Sequence, residues 1–486
     1  MKNELSTKIS HHHIGGRDGS SPFIIPEKFK NDFLQILYDA DEDCINQINQ
    51  TVDSTITLPY CIGAKKSVQT FYINLDPYTS SLLKLNPKYK DFYYFTNDQH
   101  QGPLDYCYGD TVVTMEKRTV NTTSLDQLFD EQKHIPLPDI LTLDTQGTEY
   151  EILTGSKKHL DNQILSIQLE VEFHEVYKNQ KLFGDICQLL DQQGFIFIKF
   201  INIVEFSPYR VPIGLRSEGI HTFGEALFFR KIPEKKPNKI TDEYLLQWFK
   251  QAFIAISYNQ FEFGIKCLKL AKENVTTAFE AQMQGTNYFD FLNVLWEKVN
   301  QHPVIYPPLF SEKYNFKLSK ERFETEYETN NLEKNFISMV DDIRQHLKTL
   351  NKKRLCIIPY GMLGRMYHDN QSKIDGVNVS FHDNNYEKIN QQDSVKSPEN
   401  ITTEDYVLIT TMAFDQSLLQ QLTLSQKIPA NQIISIRDLG TGITRRKNWF
   451  DSKTVDSDIE KYLINYGFEA LAKCLANKRY QQSFDF

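Results

Sequence analysis

Between Lys8 and about Lys231 the sequence switches repeatedly between two periodicities, and that switching limits what the chain can fold into. DILTLDT (139–145) and ILSIQLEVEF (164–173) are short apolar runs with polar segments on both sides, which is the pattern of buried strands. LQILYDAD (34–41) and ITLPYCIG, ending at Gly63, read the same way. Stretches of helical character lie between them: DEDCINQINQ (41–50), TSLDQLFDE with Ser124 as its cap, and KLFGDICQLLDQQG (181–194). The last is amphipathic, with Leu182, Ile186, Leu189 and Leu190 on one face and Gly194 as its end signal. Strand-helix alternation predicts a mostly parallel sheet covered by helices on both faces. FIFIKFINIVEF and EALFFRK then follow with no helix between them, so the last strand is expected to run antiparallel.

After the charged, Pro-containing stretch KIPEKKPNK (231–239) the pattern turns helical. AFIAISYNQFEFGIKCLKLAKE reads as two antiparallel helices around Tyr258, Asn259 and Gln260. Alternation resumes at Arg354 with RLCIIPYGMLGRMYHD, then VNVSFHDNN, DYVLITT and NQIISIRD. The tail from Ile459 to Leu475 reads as an amphipathic helix. The expected class is therefore α/β, in four parts. Residues 1–232 form a Rossmann-like domain and 240–345 a helical region. Residues 346–440 form a second, smaller Rossmann-like unit, and 441–486 a helical tail.

Composition sets bounds on function. A net charge of −9 with no long basic block argues against a dedicated nucleic-acid binder. No apolar run approaches the ~20 residues that span a bilayer, and the start MKNELSTKISHHH lacks a secretory apolar stretch. Seven scattered cysteines without a CxxC pair read as reduced thiols, so a cytoplasmic location is expected.

Ligands of open parallel sheets bind beyond the carboxyl ends of the strands. Four features fall at such ends. HHHIGGRDGSSPF carries Gly15, Gly16 and Gly19, where backbone can approach a ligand closely. Asp39 and Asp41 close the second strand, where an acid can accept from both ribose hydroxyls, Cys61-Ile62-Gly63 ends the third, and Asp144 ends the fourth. Simple turns and helix caps are the competing readings of each feature alone. Glu170, Glu172 and His174 alternate onto one face of the fifth strand, where two acids and a His are costly to bury without a task. The HHH run at 11–13 has no second cluster at metal-ligand spacing, and no metal is expected. In the second unit, PYGMLGRMY is a G-x-x-G turn short of the dinucleotide fingerprint, with Asp383 about twenty residues on. A nucleotide ligand there, or a purely structural unit, are the alternatives.

DILTLDTQGTEYEILTG and LEVEFHEVYKNQKLFGDICQLLDQQGF resemble the FkbM family of S-adenosylmethionine-dependent methyltransferases. Asp144, Gln146, Gly147 and Glu149 stand at its D-x-Q-G-x-E signature. Glu170, Glu172, Tyr177, Gln180, Phe183 and Gly194-Phe195 follow in its second segment, and SSLL (80–83) is also similar. The resemblance spans about residues 8–231; His13 stands where such enzymes carry an acid before the first glycine. It implies S-adenosylmethionine as cofactor, held by Gly15, Gly16, Gly19, Asp39, Ile62, Asp144 and Gln146. Asp144 then faces the cofactor's methionine end or the acceptor, and His174 or Glu172 is the candidate base. The function this implies is O-methylation of a carbohydrate or small metabolite, in surface polysaccharide biosynthesis or elsewhere. The alternatives are a nicotinamide- or nucleotide-sugar-dependent enzyme using residues 346–440, and a non-catalytic partner-binding protein. Assembly into a homo-oligomer is left open.

Overall fold

A computed structural model describes residues 6–15, 23–40, 55–96, 104–208, 218–233, 239–301, 332–371, 374–389, 394–411, 413–436 and 457–480. The chain divides into two compact units, residues 1–300 with 458–474, and 301–457 with 475–486.

The first unit begins with β1 (Ile9–Ile14), β2 (Phe33–Tyr38), β3 (Thr55–Leu58), β4 (Cys61–Ile62) and β5 (Ser67–Asn74). β6 (Tyr93–Thr96), β7 (Leu104–Cys107), α1 (Tyr108–Thr111), β8 (Thr114–Thr123) and α2 (Leu125–Glu131) follow. Next come β9 (Ile140–Leu143), α3 (Glu149–Thr154), α4 (Lys157–Asn162), β10 (Ser166–Glu172) and α5 (Phe183–Gln192). The long strands β11 (Phe195–Phe206) and β12 (Ile220–Arg230) complete a seven-stranded sheet in the order β11-β12-β10-β9-β1-β2-β3. Strands β10, β9, β1, β2 and β3 are parallel, and β12 runs antiparallel to both its neighbours, as the missing helix predicted.

The run ITLPYCIG is two strands rather than one. β3 ends at Leu58 and joins the large sheet, while β4 pairs with β8 in a three-stranded sheet, β4-β8-β5. Pro59 lies between them with no N–H to continue a ladder. The helix read at 41–50 lies outside the described residues.

One face of the sheet carries Ile14, Ile36, Leu141, Leu143, Ile167 and Leu169, packed with Leu128, Ile152, Leu160 and Ile186 of the helices. The other face is covered by residues beyond 239. There α6 (Asp242–Ser257), α7 (Phe261–Lys272), α8 (Thr277–Met283) and α9 (Asn287–Gln301) follow. α6 is buried at every position from Leu245 to Ile256 apart from Gln247, as befits a helix packed on all sides. Phe253 meets Phe29 and Phe33, and the Tyr258 hydroxyl donates to Gln168 Oε1 at 2.7 Å. Lys250 Nζ, itself buried, donates at 2.8 Å to the buried carboxylate of Asp139, at the head of β9. Residues 240–300 thus belong to the first unit, and the helical region expected at 240–345 is divided between the two.

In the second unit α10 (Leu332–Thr349) precedes a four-stranded parallel sheet. Its elements are β13 (Arg354–Ile358), α11 (Met362–Asn370), β14 (Asn378–Phe381), β15 (Tyr406–Ile409), α12 (Asp415–Gln420) and β16 (Ile433–Ser435). The order is β14-β13-β15-β16. The tail is two helices, α13 (Ser457–Asn465) and α14 (Glu469–Tyr480), broken at Gly467 with φ +87°. Tyr462 of α13 stacks on Phe291, and Phe468 meets Phe29, Phe253 and Phe291, so this segment closes the first unit. Among the described residues no helix is long and apolar enough to cross a membrane.

The HHH run is the middle of β1, an interior strand of the large sheet. His11 Nε2 and His13 Nδ1 meet the Thr142 hydroxyl at 3.0 and 2.8 Å, and His12 Nδ1 meets the Tyr38 hydroxyl at 2.8 Å. Burial holds the His12 ring down to about 3, against an ordinary 6.5. The unfolded chain therefore takes up a proton below pH 6.5 that folded His12 refuses. Stability should be full above that value and fall by about 1.4 kcal/mol per pH unit between 6.5 and 3 from this group. Urea midpoints across that range should slope less in His12→Gln; an unchanged slope would place the acid sensitivity elsewhere.

Candidate functional site

Backbone geometry at the carboxyl ends of β1 and β9 builds the centre of the site. The Gly15 N–H donates to Tyr38 O, and the Asp144 N–H donates to Ile14 O, both at 3.0 Å. Gly15 has φ +96°, and a Cβ there would lie 1.8 Å from the Asp144 carbonyl oxygen, so only glycine fits. After Asp144 the chain turns through two left-handed residues, Gln146 (φ 56°) and Gly147 (φ 105°), into α3.

Glu149 holds that turn. Its carboxylate accepts from Thr145 N (2.7 Å), Thr145 Oγ1 (2.9 Å) and Gly147 N (3.0 Å). Burial pushes its carboxyl up to about 7, opposed by those hydrogen bonds. A Cβ on Gly147 would stand 2.8 Å from Gln180 Nε2, and Gln180 Oε1 accepts from Tyr177 N at 3.0 Å. The D-x-Q-G-x-E signature and the later Tyr and Gln are thus one packed object.

A cavity of about 170 Å³ opens above these strand ends. Gly15, Asp39, Ile62, Asp144 and Gln146 all line it, with Tyr38, Tyr60, Cys61 and Ser80. Five of the seven residues expected to hold a cofactor are therefore brought together; Gly16 and Gly19 lie outside the described residues. Burial, helped by the charge of Asp39, pushes the Cys61 thiol up to about 12, which keeps it a neutral wall.

A second cavity, of about 160 Å³, adjoins the first and shares Tyr78 and Gln146 with it. Glu170 and Glu172 line it, with Asp76, Thr79, Tyr108 and Thr222. The Gln146 amide is fixed across the shared wall. Its Nε2 donates to Asp144 Oδ1 at 2.9 Å and to Glu170 Oε1 at 2.8 Å, while its Oε1 accepts from the Tyr177 hydroxyl at 2.9 Å. Tyr108 OH stands 2.9 Å from Tyr177 OH, and Ser81 Oγ donates to Gln146 O at 2.7 Å.

Burial, then the charge of Asp144, raises the Glu170 carboxyl well above the carboxylate range. Burial and the charge of Glu149 raise Glu172, with the nearby Gln180 amide working against them. His174 is not on the face it was expected to share. β10 ends at Glu172, and His174 lies past the strand beside Tyr89, outside the lining of both cavities.

Sequence reading missed Asp76, Tyr78, Thr79, Tyr108 and Thr222. One local signal was present: Asp76 caps a short turn that begins at Pro77, accepting from Tyr78 N at 3.0 Å. In the second unit Asp383 accepts from Tyr360 N (3.1 Å) and Asn385 N (2.8 Å), so its carboxylate ties two loops together. Among the described residues no cluster of His, Cys, Asp and Glu could hold a metal ion.

No curated protein and no solved structure matches the chain. Residues 41–197, from just beyond β2 into β11, match the family model of the methyltransferase FkbM domain. That stretch contains the Asp144–Glu149 turn, both glutamates of β10, Tyr177 and Gln180, and the chain therefore carries a methyltransferase domain of the FkbM family.

Proposed function

We propose that the chain is an S-adenosylmethionine-dependent O-methyltransferase acting on a hydroxyl of a carbohydrate or other small metabolite, with surface polysaccharide building blocks as its setting. The observation that carries this reading is the pair of adjoining cavities with Gln146 in their common wall. The first suits the cofactor. Gly15 leaves backbone bare where a Cβ has no room, and Asp39 offers a carboxylate to ribose hydroxyls at the end of β2. When bound, S-adenosylmethionine supplies an electrophilic methyl carbon on a sulfonium. In this reading Asp144 and Gln146, which line the same cavity, orient the methionine end.

The second cavity suits the acceptor. Glu170 lines it and accepts from Gln146 Nε2, which supports its carboxylate as the group that takes the proton of an acceptor hydroxyl. Because its carboxyl is raised, turnover should climb with pH through a range above the usual ~4.3 of a glutamate. Glu172 serves as its neighbour and as a binding group, and His174 has no part in proton removal.

Calorimetry with S-adenosylmethionine tests the reading. Asp39→Ala should weaken binding by about 1.5–3 kcal/mol, the cost of a lost charged acceptor. Unchanged affinity in the variant removes the ribose role, and no binding to the native chain removes the cofactor. Glu170→Gln should keep cofactor affinity and lose ~10²–10⁴-fold in turnover. Retained turnover would transfer the base to another group.

A further inference from the structure

One amide donates to a carboxylate of each cavity. Gln146 Nε2 reaches Oδ1 of Asp144, which lines the first, at 2.9 Å, and Oε1 of Glu170, which lines the second, at 2.8 Å. The amide is held in that attitude from behind. Its Oε1 accepts from the Tyr177 hydroxyl, which stands 2.9 Å from the Tyr108 hydroxyl, and Ser81 Oγ donates to the Gln146 carbonyl at 2.7 Å. Burial above all raises the Tyr177 phenol, which keeps its hydroxyl protonated and therefore a donor. Two acids that share one donor at this range do not ionise independently: a change in the charge of one alters the proton affinity of the other.

We infer that Gln146 is a positioning residue that ties the base to the methyl donor: positive charge arriving in the first cavity beside Asp144 favours the ionised form of Glu170 in the second, and its loss on methyl transfer favours the protonated form. The inference rests on the methyltransferase reading and adds to it the timing of the base. Burial is the first cause that raises the Glu170 carboxyl. The charges that raise it further are those of Asp144 at the end of β9, Glu172 on its own strand, Glu149 at the start of α3 and Glu225, its register partner on β12. Asp76 and the Tyr108 phenol share its cavity. Asp144 is the largest of the charges, so a cation that offsets it lowers Glu170 most directly. S-adenosylmethionine carries an ammonium and a sulfonium, and S-adenosylhomocysteine the ammonium alone. In the transfer the acceptor oxygen bonds the methyl carbon, the electron pair of the broken carbon–sulfur bond stays on sulfur, and the hydroxyl proton passes to Glu170. A positive charge leaves the first cavity as a negative charge leaves the second, so the step proceeds without a change in their summed charge.

The test uses the full-length chain, titrated calorimetrically with S-adenosylmethionine and with S-adenosylhomocysteine. Each titration is run in two buffers of unlike ionisation enthalpy, which measures proton release, from the ordinary glutamate value of ~4.3 upward in pH. Comparing the two ligands cancels the ammonium and leaves the sulfonium. A proton is released only by a group that is protonated in the free chain and ionised in the bound one. S-adenosylmethionine should therefore release more, by about half a proton at the best pH, the value that a one-unit shift of one carboxyl gives. The excess should vanish at low pH, where Glu170 stays protonated, and at high pH, where it is already ionised. Glu170→Gln should abolish it. Glu172→Gln should keep it with its maximum at lower pH, because a neighbouring negative charge is gone. Gln146→Met removes the shared donor and should move the maximum up by about one pH unit. Equal release at every pH, an excess that survives Glu170→Gln, or a maximum that stays in place in Gln146→Met overturns the inference. If Glu170→Gln does not melt cooperatively, Gln146→Met decides alone. If both ligands bind with equal release, the timing alone fails. If neither binds, the methyltransferase reading fails and the timing falls with it.

Discussion

Gly15→Ala is expected to abolish cofactor binding and to destabilise the first unit by about 2–5 kcal/mol. Two costs combine. The added methyl would lie 1.8 Å from the Asp144 carbonyl oxygen, a backbone atom that cannot swing aside. Overpacking of that kind costs about 1–3 kcal/mol. The residue also sits at φ +96°, where a side chain adds roughly 1–2 kcal/mol of backbone strain. Relief would require separating β1 from β9, which are held there by the Asp144 N–H to Ile14 O hydrogen bond at 3.0 Å. The cavity floor would move with them. Gly184→Ala is the control, since a Cβ there meets nothing within 4 Å and alanine suits the helix α5. Thermal melts with and without S-adenosylmethionine should separate the two variants clearly. A Gly15→Ala protein that melts and binds like the native chain would mean that the β1–β9 junction is softer than its geometry.

Lys250→Met carries the second large effect. Lys250 and Asp139 form an ion pair whose side chains are 6% and 2% exposed. Asp139 also accepts from Ser10 N at 2.8 Å, so its charge helps to align β1 with β9. Removing the ammonium leaves the carboxylate buried without its counter-charge, which typically costs about 3–5 kcal/mol. Asp139→Asn in the same chain should recover part of that loss, because the charge is then gone from both sides. Urea unfolding of the two single variants and the double variant measures the coupling. Additive losses would show that the pair contributes little beyond its separate contacts. The same pair predicts that a fragment ending near Lys239 folds poorly, although its sheet is complete by Arg230.

Strand ends were legible because they are written locally. An apolar run that stops at Asp39 or Asp144 marks the edge of the sheet wherever the rest of the chain goes, and those two acids and Gly15 do line one cavity. The alternation also carried the parallel order and the reversed β12, since a helix either fits between two strands or does not. Asp76, Tyr108 and Thr222 were not legible. They reach the second cavity from a turn, a one-turn helix and an edge of β12, and no short-range pattern links them. Lys250 pairs with a residue 111 positions away, and the cue was indirect: a single Lys inside a helix apolar on all sides. His174 was misplaced onto a strand face because alternation was carried two residues past the end of β10. Pro59 should have divided ITLPYCIG, and its missing N–H is the physical reason that it does.

The split of the first unit has a consequence for biosynthesis. Its last segment, residues 458–474, is translated only after all of residues 301–457. A ribosome adding about 5–20 residues per second takes roughly 8–30 s to pass that interval. Throughout it the faces of Phe29, Phe253 and Phe291 that Phe468 later covers stand open to water on a nascent chain. Three clustered aromatic rings exposed for that long are what chaperones bind, so yield in a heterologous host should depend on chaperone supply more than on codon usage in the first 300 residues.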